Sequence, residues 1–242
     1  MSIPSPCLAL AQLLRLKAVP VAFASDEATR ELHPIVRDRA FYRKEEESVR
    51  NPISSVLLRQ GIPYEEGVLG QKRKREKLRS LGLPEVDWGL EMLAHFDATT
   101  AERGRKIPEA FLASKEAQLL ESIPGIGEFT AVGLVAERCP IDRFPNVEKL
   151  GSYAGLVPTN HQSGATSYQG HPKTESNHLV KGLLIEASGS PRHWEKGSDG
   201  TKIAKRVSRR RGGKQKMNVA GAHQLLRIVS AVLRRGTPYT PE

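Results

Sequence analysis

Cysteine is scarce in this chain, with Cys7 and Cys139 the two it has. Two such residues build neither a disulfide framework nor a zinc cluster, so a reducing, cytoplasmic setting is expected. Aromatic residues make up 5% of the sequence, which argues against binding dominated by a platform of stacked bases. No apolar run approaches the roughly 20 residues that span a bilayer, and no basic stretch with a long apolar run opens the chain, so no membrane partner is expected. His161, His171 and His178 match no zinc spacing, and no metal ligand is assigned. Acidic residues are short on one side. Residues 1–120 carry 19 basic and 17 acidic side chains, whereas residues 121–242 carry 18 and 10. The excess behind the formal charge of +10 therefore lies mainly in the second half, where a polyanion surface is expected.

What is present reads as mainly α. With 242 residues and 38% hydrophobic content, the chain can bury a core in one large or two small domains. Leu8, Leu10, Leu13, Leu14 and Leu16 suggest a short apolar helix with little polar surface. From Asp26 to about Arg59, Leu32, Ile35, Val36, Val49, Ile53, Val56 and Leu57 form a broken helical stripe, which Pro34 and Pro52 are expected to interrupt or kink. The run Gln71 to Lys77 reads as a solvated helix face. Leu90, Leu93, Ala94, Phe96, Phe111 and Leu112 permit a second long helix, and two antiparallel helices across residues 26–118 would make a coiled-coil arm. Pro158 to Lys173, rich in Gly, Ser, Thr, Asn and His, reads as a loop. Leu179, Leu183, Leu184 and Ala187 mark a further helix. Val219, Ala222, Leu225, Leu226, Val229 and Leu233 mark a final one that Gly236 and Pro238 stop.

Three stretches carry candidate chemistry. Leu119 to Ala136 reads as two apolar helical faces joined by Pro124-Gly125-Ile126-Gly127. Gly125 and Gly127 let a ligand approach the backbone, and a helix starting near Glu128 would aim its amides and positive dipole end at a phosphate. The same pattern also suits a tight turn between two core helices. Residues 202–216 hold Lys202, Lys205, Arg206, Arg209, Arg210, Arg211, Lys214 and Lys216 with no acid among them. Eight cations that cannot neutralise one another attract a phosphate backbone, either as a binding surface or as a basic tail. Ser163 lies in Asn160-His-Gln-Ser-Gly-Ala165, where Gly164 would give a large substrate access to the hydroxyl. On its own the pair is a turn, because a serine hydroxyl needs a base or a metal to attack phosphorus.

Ile123-Pro-Gly-Ile-Gly127, Arg143-Phe144, Leu150-Gly-Ser-Tyr-Ala-Gly-Leu-Val-Pro158 and Ser163-Gly164 together resemble insertion-sequence transposases of the IS-110 type. The resemblance continues through Gly170, Lys173, Asn177, Leu183 to Ala187, Ala222 to Val229 and Pro238-Tyr239. It reaches back weakly through Leu10 to Arg15. It implies an RNase H-like domain with four metal-binding acids, a coiled-coil arm, and a C-terminal domain with a serine nucleophile, all guided by a structured RNA. On that reading residues 1–25 are the end of an RNase H-like domain that is mostly absent, 26–118 the arm, and 119–242 a transposase domain with a helix-hairpin-helix-like motif. Ser163 matches the nucleophile. Gly125, Gly127, Lys173, Lys202, Arg206, Arg209, Arg210, Arg211, Lys214 and Lys216 are assigned to nucleic acid.

Ile3 and Pro6 stand where two of the family's acids fall, and the other two would precede Met1. No cofactor is therefore expected in this chain, although the intact family implies Mg²⁺. The expected partners are DNA, a guide RNA, and a second copy or a full-length transposase. The expected function is DNA transposition with cleavage impaired in the chain alone. A non-catalytic nucleic-acid-binding module and an inactive remnant are the alternatives.

Overall fold

The computed structural model describes residues 6–18, 25–63, 67–138, 140–163, 166–172, 176–189 and 214–240. The architecture is mainly α, with one two-stranded antiparallel hairpin. Helix α1 (Pro6–Arg15) buries none of its residues, and Leu8, Leu10, Leu13, Leu14 and Leu16 are all exposed. Helix α2 (Glu27–Arg59) starts at Asp26, whose carboxylate accepts the Thr29 amide at 2.8 Å. Such a cap satisfies one of the orphan amides of the first turn. The helix then runs through both Pro34 and Pro52 without a break, so of the two expected effects, interruption or a kink, interruption does not occur. Each proline removes one backbone hydrogen bond from the ladder. Packing of this helix at both its ends offsets that loss.

The remaining expected long helix is divided. Helix α3 (Lys72–Arg79) precedes α4 (Pro84–Arg103), a 3₁₀ turn occupies Gly104–Lys106, and α5 (Ile107–Ala113) and α6 (Lys115–Glu121) follow as separate segments. Ser114 ends one and caps the next, accepting the Ala117 amide at 3.2 Å. Leu112, read as part of the second long helix, is 73% exposed. Helices α2 and α4 lie antiparallel, since Asp38 meets Arg103 at 3.6 Å and Tyr42 meets Phe96 with ring centroids 6.3 Å apart, while Val49 and Ile53 lie over Gly89.

Two apolar cores sit on α2. The distal one joins Ile53, Val56, Leu57, Leu69, Val86, Leu90 and Leu93. The larger one joins Val36 to α5, α6, α7 (Glu128–Arg138), α8 (Val147–Tyr153), α9 (His178–Gly189) and α10 (Lys214–Arg235). Between the cores α2 is polar. Buried Glu46 binds Arg43 and Arg50, and Arg75 of α3 lies 3.7 Å from it while pairing with Asp97 of α4 at 2.6 Å. Arg75 is thus a buried tie across the arm, although the run that holds it reads as solvated. This polar stretch is why the hydrophobic stripe looks broken in the sequence.

Residues 158–163 and 166–172, expected as loop, form strands. β1 (Pro158–Ser163) pairs with β2 (Thr166–Pro172), with Ser163 opposite Thr166 and Pro158 opposite Pro172. Polar, turn-rich composition without apolar alternation hides the hairpin from a pattern reading.

Close approach of α2 and α9 to α7 depends on Gly133. A methyl built there would lie 2.8 Å from Leu183 Cδ1 and 3.2 Å from Val36 Cγ1. Gly133→Val should therefore lower stability by about 1–3 kcal/mol through overpacking, read as a fall in the midpoint of chemical unfolding. An unchanged midpoint would show that this three-helix contact has slack.

Candidate nucleic-acid interface and serine hairpin

The turn between α6 and α7 has the expected form. Helix α6 ends at Glu121 and α7 begins at Glu128. Ile123 and Ile126 are buried beneath the turn, and the Ile126 amide donates to the Ile123 carbonyl at 3.0 Å. Gly125 has φ +94°, a conformation that costs a side-chain-bearing residue about 1–2 kcal/mol. Gly127 is exposed, and a methyl built there meets nothing within 4 Å. Protein packing therefore does not demand a glycine at 127. The segment after α10 docks on this turn, with the Tyr239 amide donating to Ser122 Oγ at 2.8 Å. Acidic Glu121 and Glu128, both exposed, bracket the turn and oppose an anion there.

At the other end of α7, about 16 Å away at 1.5 Å per residue, lies a polar cluster that sequence reasoning missed. Glu137 is buried. Its carboxylate accepts Arg37 Nε at 2.6 Å and Nη2 at 3.0 Å, and Asn177 Nδ2 at 2.9 Å. Its backbone carbonyl accepts the Tyr153 hydroxyl at 2.6 Å, and His33 Nε2 donates to the neighbouring Ala136 carbonyl at 2.8 Å. Asn177 uses both ends of its amide. The nitrogen reaches Glu137 and, at 3.1 Å, the Tyr153 hydroxyl, while the oxygen caps α9 by accepting the Leu179 and Val180 amides, each at 3.1 Å. Glu137 thus ties four elements, its carboxylate joining α7 to α2 and the start of α9 and its backbone carbonyl holding the end of α8. A glutamate in the last turn of an apolar helix opposes the helix dipole and calls for a partner. That was the available signal.

The cluster stands at the root of the serine hairpin, whose strands leave α8 through Gly155–Val157 and return to α9 at Ser176–Asn177. Gly155 packs against Ser176, leaving no room for a side chain. Ser163 ends β1, five residues beyond Pro158, or roughly 17 Å along the strand. The glycine turn and the hairpin root are therefore held at opposite ends of α7. Lys173, Lys202, Arg206, Arg209, Arg210 and Arg211 lie outside the described residues, whereas Lys214 and Lys216 fall in the first turn of α10.

Burial pushes the Glu137 carboxyl up, but the hydrogen bonds from Arg37 and Asn177 outweigh it and hold the group below its ordinary value of 4.5. The same bond raises Arg37. In contrast, His223 on α10 is held below its ordinary value by burial and by Arg227.

Comparison with known proteins finds transposases among the relatives of this chain. Residues 117–199, from α6 past the hairpin and α9, match the model of the Transposase IS116/IS110/IS902 family, and over that segment the protein belongs with the IS110-type transposases. The transposase for insertion sequence element IS1111A of Coxiella burnetii is 30% identical over 128 residues, covering 52% of this chain and 35% of that protein. The pilin gene-inverting protein of Moraxella bovis is 28% identical over 130 residues, covering 51% and 38%. An insertion element IS110 protein of Streptomyces coelicolor is 34% identical over 70 residues, covering 28% and 17%. The chain thus matches less than two-fifths of the length of these curated relatives.

Two outcomes are expected from this geometry. Arg37→Ala should cost about 2 kcal/mol at pH 7, the worth of hydrogen bonds to a charged group. Because the Glu137 value is lowered by folding, its contribution is present at neutral pH and lost as pH falls below 4.5. The gap between wild type and Arg37→Ala should therefore narrow in acid, as urea unfolding at pH 7 and pH 3.5 would show. Second, Gly127→Ala should leave the thermal midpoint within a degree or two yet weaken DNA binding severalfold in a mobility-shift assay. A variant that binds as wild type would reduce the turn to a structural connection.

Proposed function

We propose that this protein acts in DNA transposition as a DNA-binding, transposase-related protein, with Ser163 as the nucleophile of strand cleavage and exchange. The observation that carries the reading is the family match over residues 117–199, which takes in the glycine turn, Glu137, Tyr153, Asn177 and the serine hairpin, but not Arg37 or His33 of α2. Relatives named as a transposase and as a pilin gene-inverting protein support a role in DNA rearrangement. In such a step the Ser163 oxygen bonds to a backbone phosphorus, and one bridging oxygen leaves as a hydroxyl with the proton that the serine gives up. Attack by a strand hydroxyl in the reverse sense joins the new ends and restores the serine.

The family's Mg²⁺ does not fit the described residues. No group of three His, Cys, Asp or Glu among them could hold a metal ion, and Glu137, the acid at the hairpin root, is engaged by Arg37 and Asn177. On this reading the acids for cleavage would come from a full-length transposase in a mixed assembly, with a structured guide RNA choosing the site. The basic segment 202–216 supports a second reading, a module that binds nucleic acid without cutting it.

One experiment separates them. The chain is mixed with an intact relative and its labelled element DNA, and covalent protein–DNA species are sought on a denaturing gel. Transposition chemistry predicts an adduct to this chain that Ser163→Ala removes while DNA affinity stays within twofold. Charge reversal at Arg209, Arg210 and Arg211 should weaken binding more than tenfold. If about five cations meet duplex phosphates, the log–log salt slope should be about −4.5. Salt-sensitive binding without any adduct supports the second reading, and no binding at all overturns both.

A further inference from the structure

The polar cluster at the hairpin root also forms one wall of an open cleft of about 610 Å³, within the roughly 300–1,000 Å³ of ligand-sized sites. Its other wall is a single face of α2. Arg37, Phe41 and Lys44 stand at i, i+4 and i+7, so they project side by side. All three line the cleft, across from Ser176, Asn177 and His178. Phe41 is 56% exposed, unusual for a large ring beside a cavity, and its contact with Tyr42 is edge-on at 5.5 Å between centroids. Arg37 spends Nε and Nη2 on Glu137, yet its side chain remains 58% exposed. Lys44 is exposed as well. The acid in the cleft, Glu137, is buried and engaged by Arg37 and Asn177.

An exposed aromatic ring flanked by two cations on one helix face has the chemistry that receives an unpaired nucleotide. The ring offers its surface to a base, and the cations take the phosphates on either side. We propose that the cleft between Phe41 and Ser176–His178 binds an unpaired nucleotide of a DNA or RNA strand and so holds single-stranded nucleic acid at the root of the Ser163 hairpin. Bases inside a duplex do not fit, because both of their faces are already stacked on neighbouring pairs. This rests on the reading of the protein as one that handles nucleic acid. It adds a site that neither the glycine turn nor the basic segment supplies.

The test is fluorescence anisotropy with the full chain and three labelled probes: a single-stranded DNA, a single-stranded RNA of the same sequence, and a DNA duplex. Phe41→Ala should weaken single-strand binding roughly 5- to 150-fold, the range carried by stacking of one base. Duplex affinity should stay within twofold. Phe41→Tyr should restore most of the loss, and Lys44→Ala should lower the salt slope for single strands by about one. A loss with DNA alone, RNA alone or both supports the site and identifies the strand. Photocrosslinking of a 5-iodouracil probe should label the peptide that contains residue 41. Single-strand binding unchanged by Phe41→Ala overturns the proposal while duplex binding keeps the transposition reading intact. An equal loss on all three probes also overturns it. Failure of the wild type to bind any probe sinks the two together.

Discussion

The buried carboxylate of Glu137 is the point on which the rest of the structure depends. A charge taken out of water must find partners or cost several kcal/mol, and this one recruits them from elements far apart in sequence. Arg37 comes from α2, Asn177 from the start of α9, and Tyr153 meets the adjoining carbonyl. Removing any one of them leaves a buried acceptor short of a donor. The same atoms fix where α8 hands the chain to β1 and where β2 returns it to α9. Electrostatic satisfaction and hairpin placement are thus one constraint.

That constraint also roots the arm. Val36 and the Arg39 guanidinium, which stacks 4.5 Å from the Phe129 ring centroid, carry α2 into the same core as α7. Beyond that core the helix relies on Glu46, Arg50 and Arg75, and only then reaches the distal apolar cluster. A helix of low overall hydrophobicity stays continuous through two prolines because it is gripped at two separated places. Intrinsic propensity is outweighed by tertiary contact here.

Much of the scaffold could be read from residue patterns, and the failures share a cause. Leu225, Leu226 and Val229 repeat at helical spacing and are buried as expected, and Gly236, at φ +65°, ends α10. Gly125 was legible because a left-handed turn leaves a local mark. In contrast, the hairpin at 158–172 carries no alternating apolar pattern, so its polar residues resembled a loop. Arg75 looked like one cation among many, since nothing local shows that Asp97 and Glu46 approach it. Glu137, Arg37 and Asn177 escaped notice for the same reason, because sequence separations of 40 and 100 residues divide them. Patterns disclose what neighbours along the chain decide; pairings across the fold stay hidden. Ser163 was singled out through family resemblance and not through its local pattern.

The two cores along α2 differ in how much chain each one needs. The distal cluster closes between Val49 and Leu93, a short loop that can form early and locally. The larger core joins Val36 to residues as distant as Val232, so it cannot be completed until nearly the whole chain has left the ribosome. During synthesis the arm's far end is thus organised first, while the near end of the same helix waits with His33, Val36 and Arg37 lacking partners. Contacts of long sequence separation form slowly, which makes the near end of α2 the part of the nascent protein most open to capture by a chaperone or a protease.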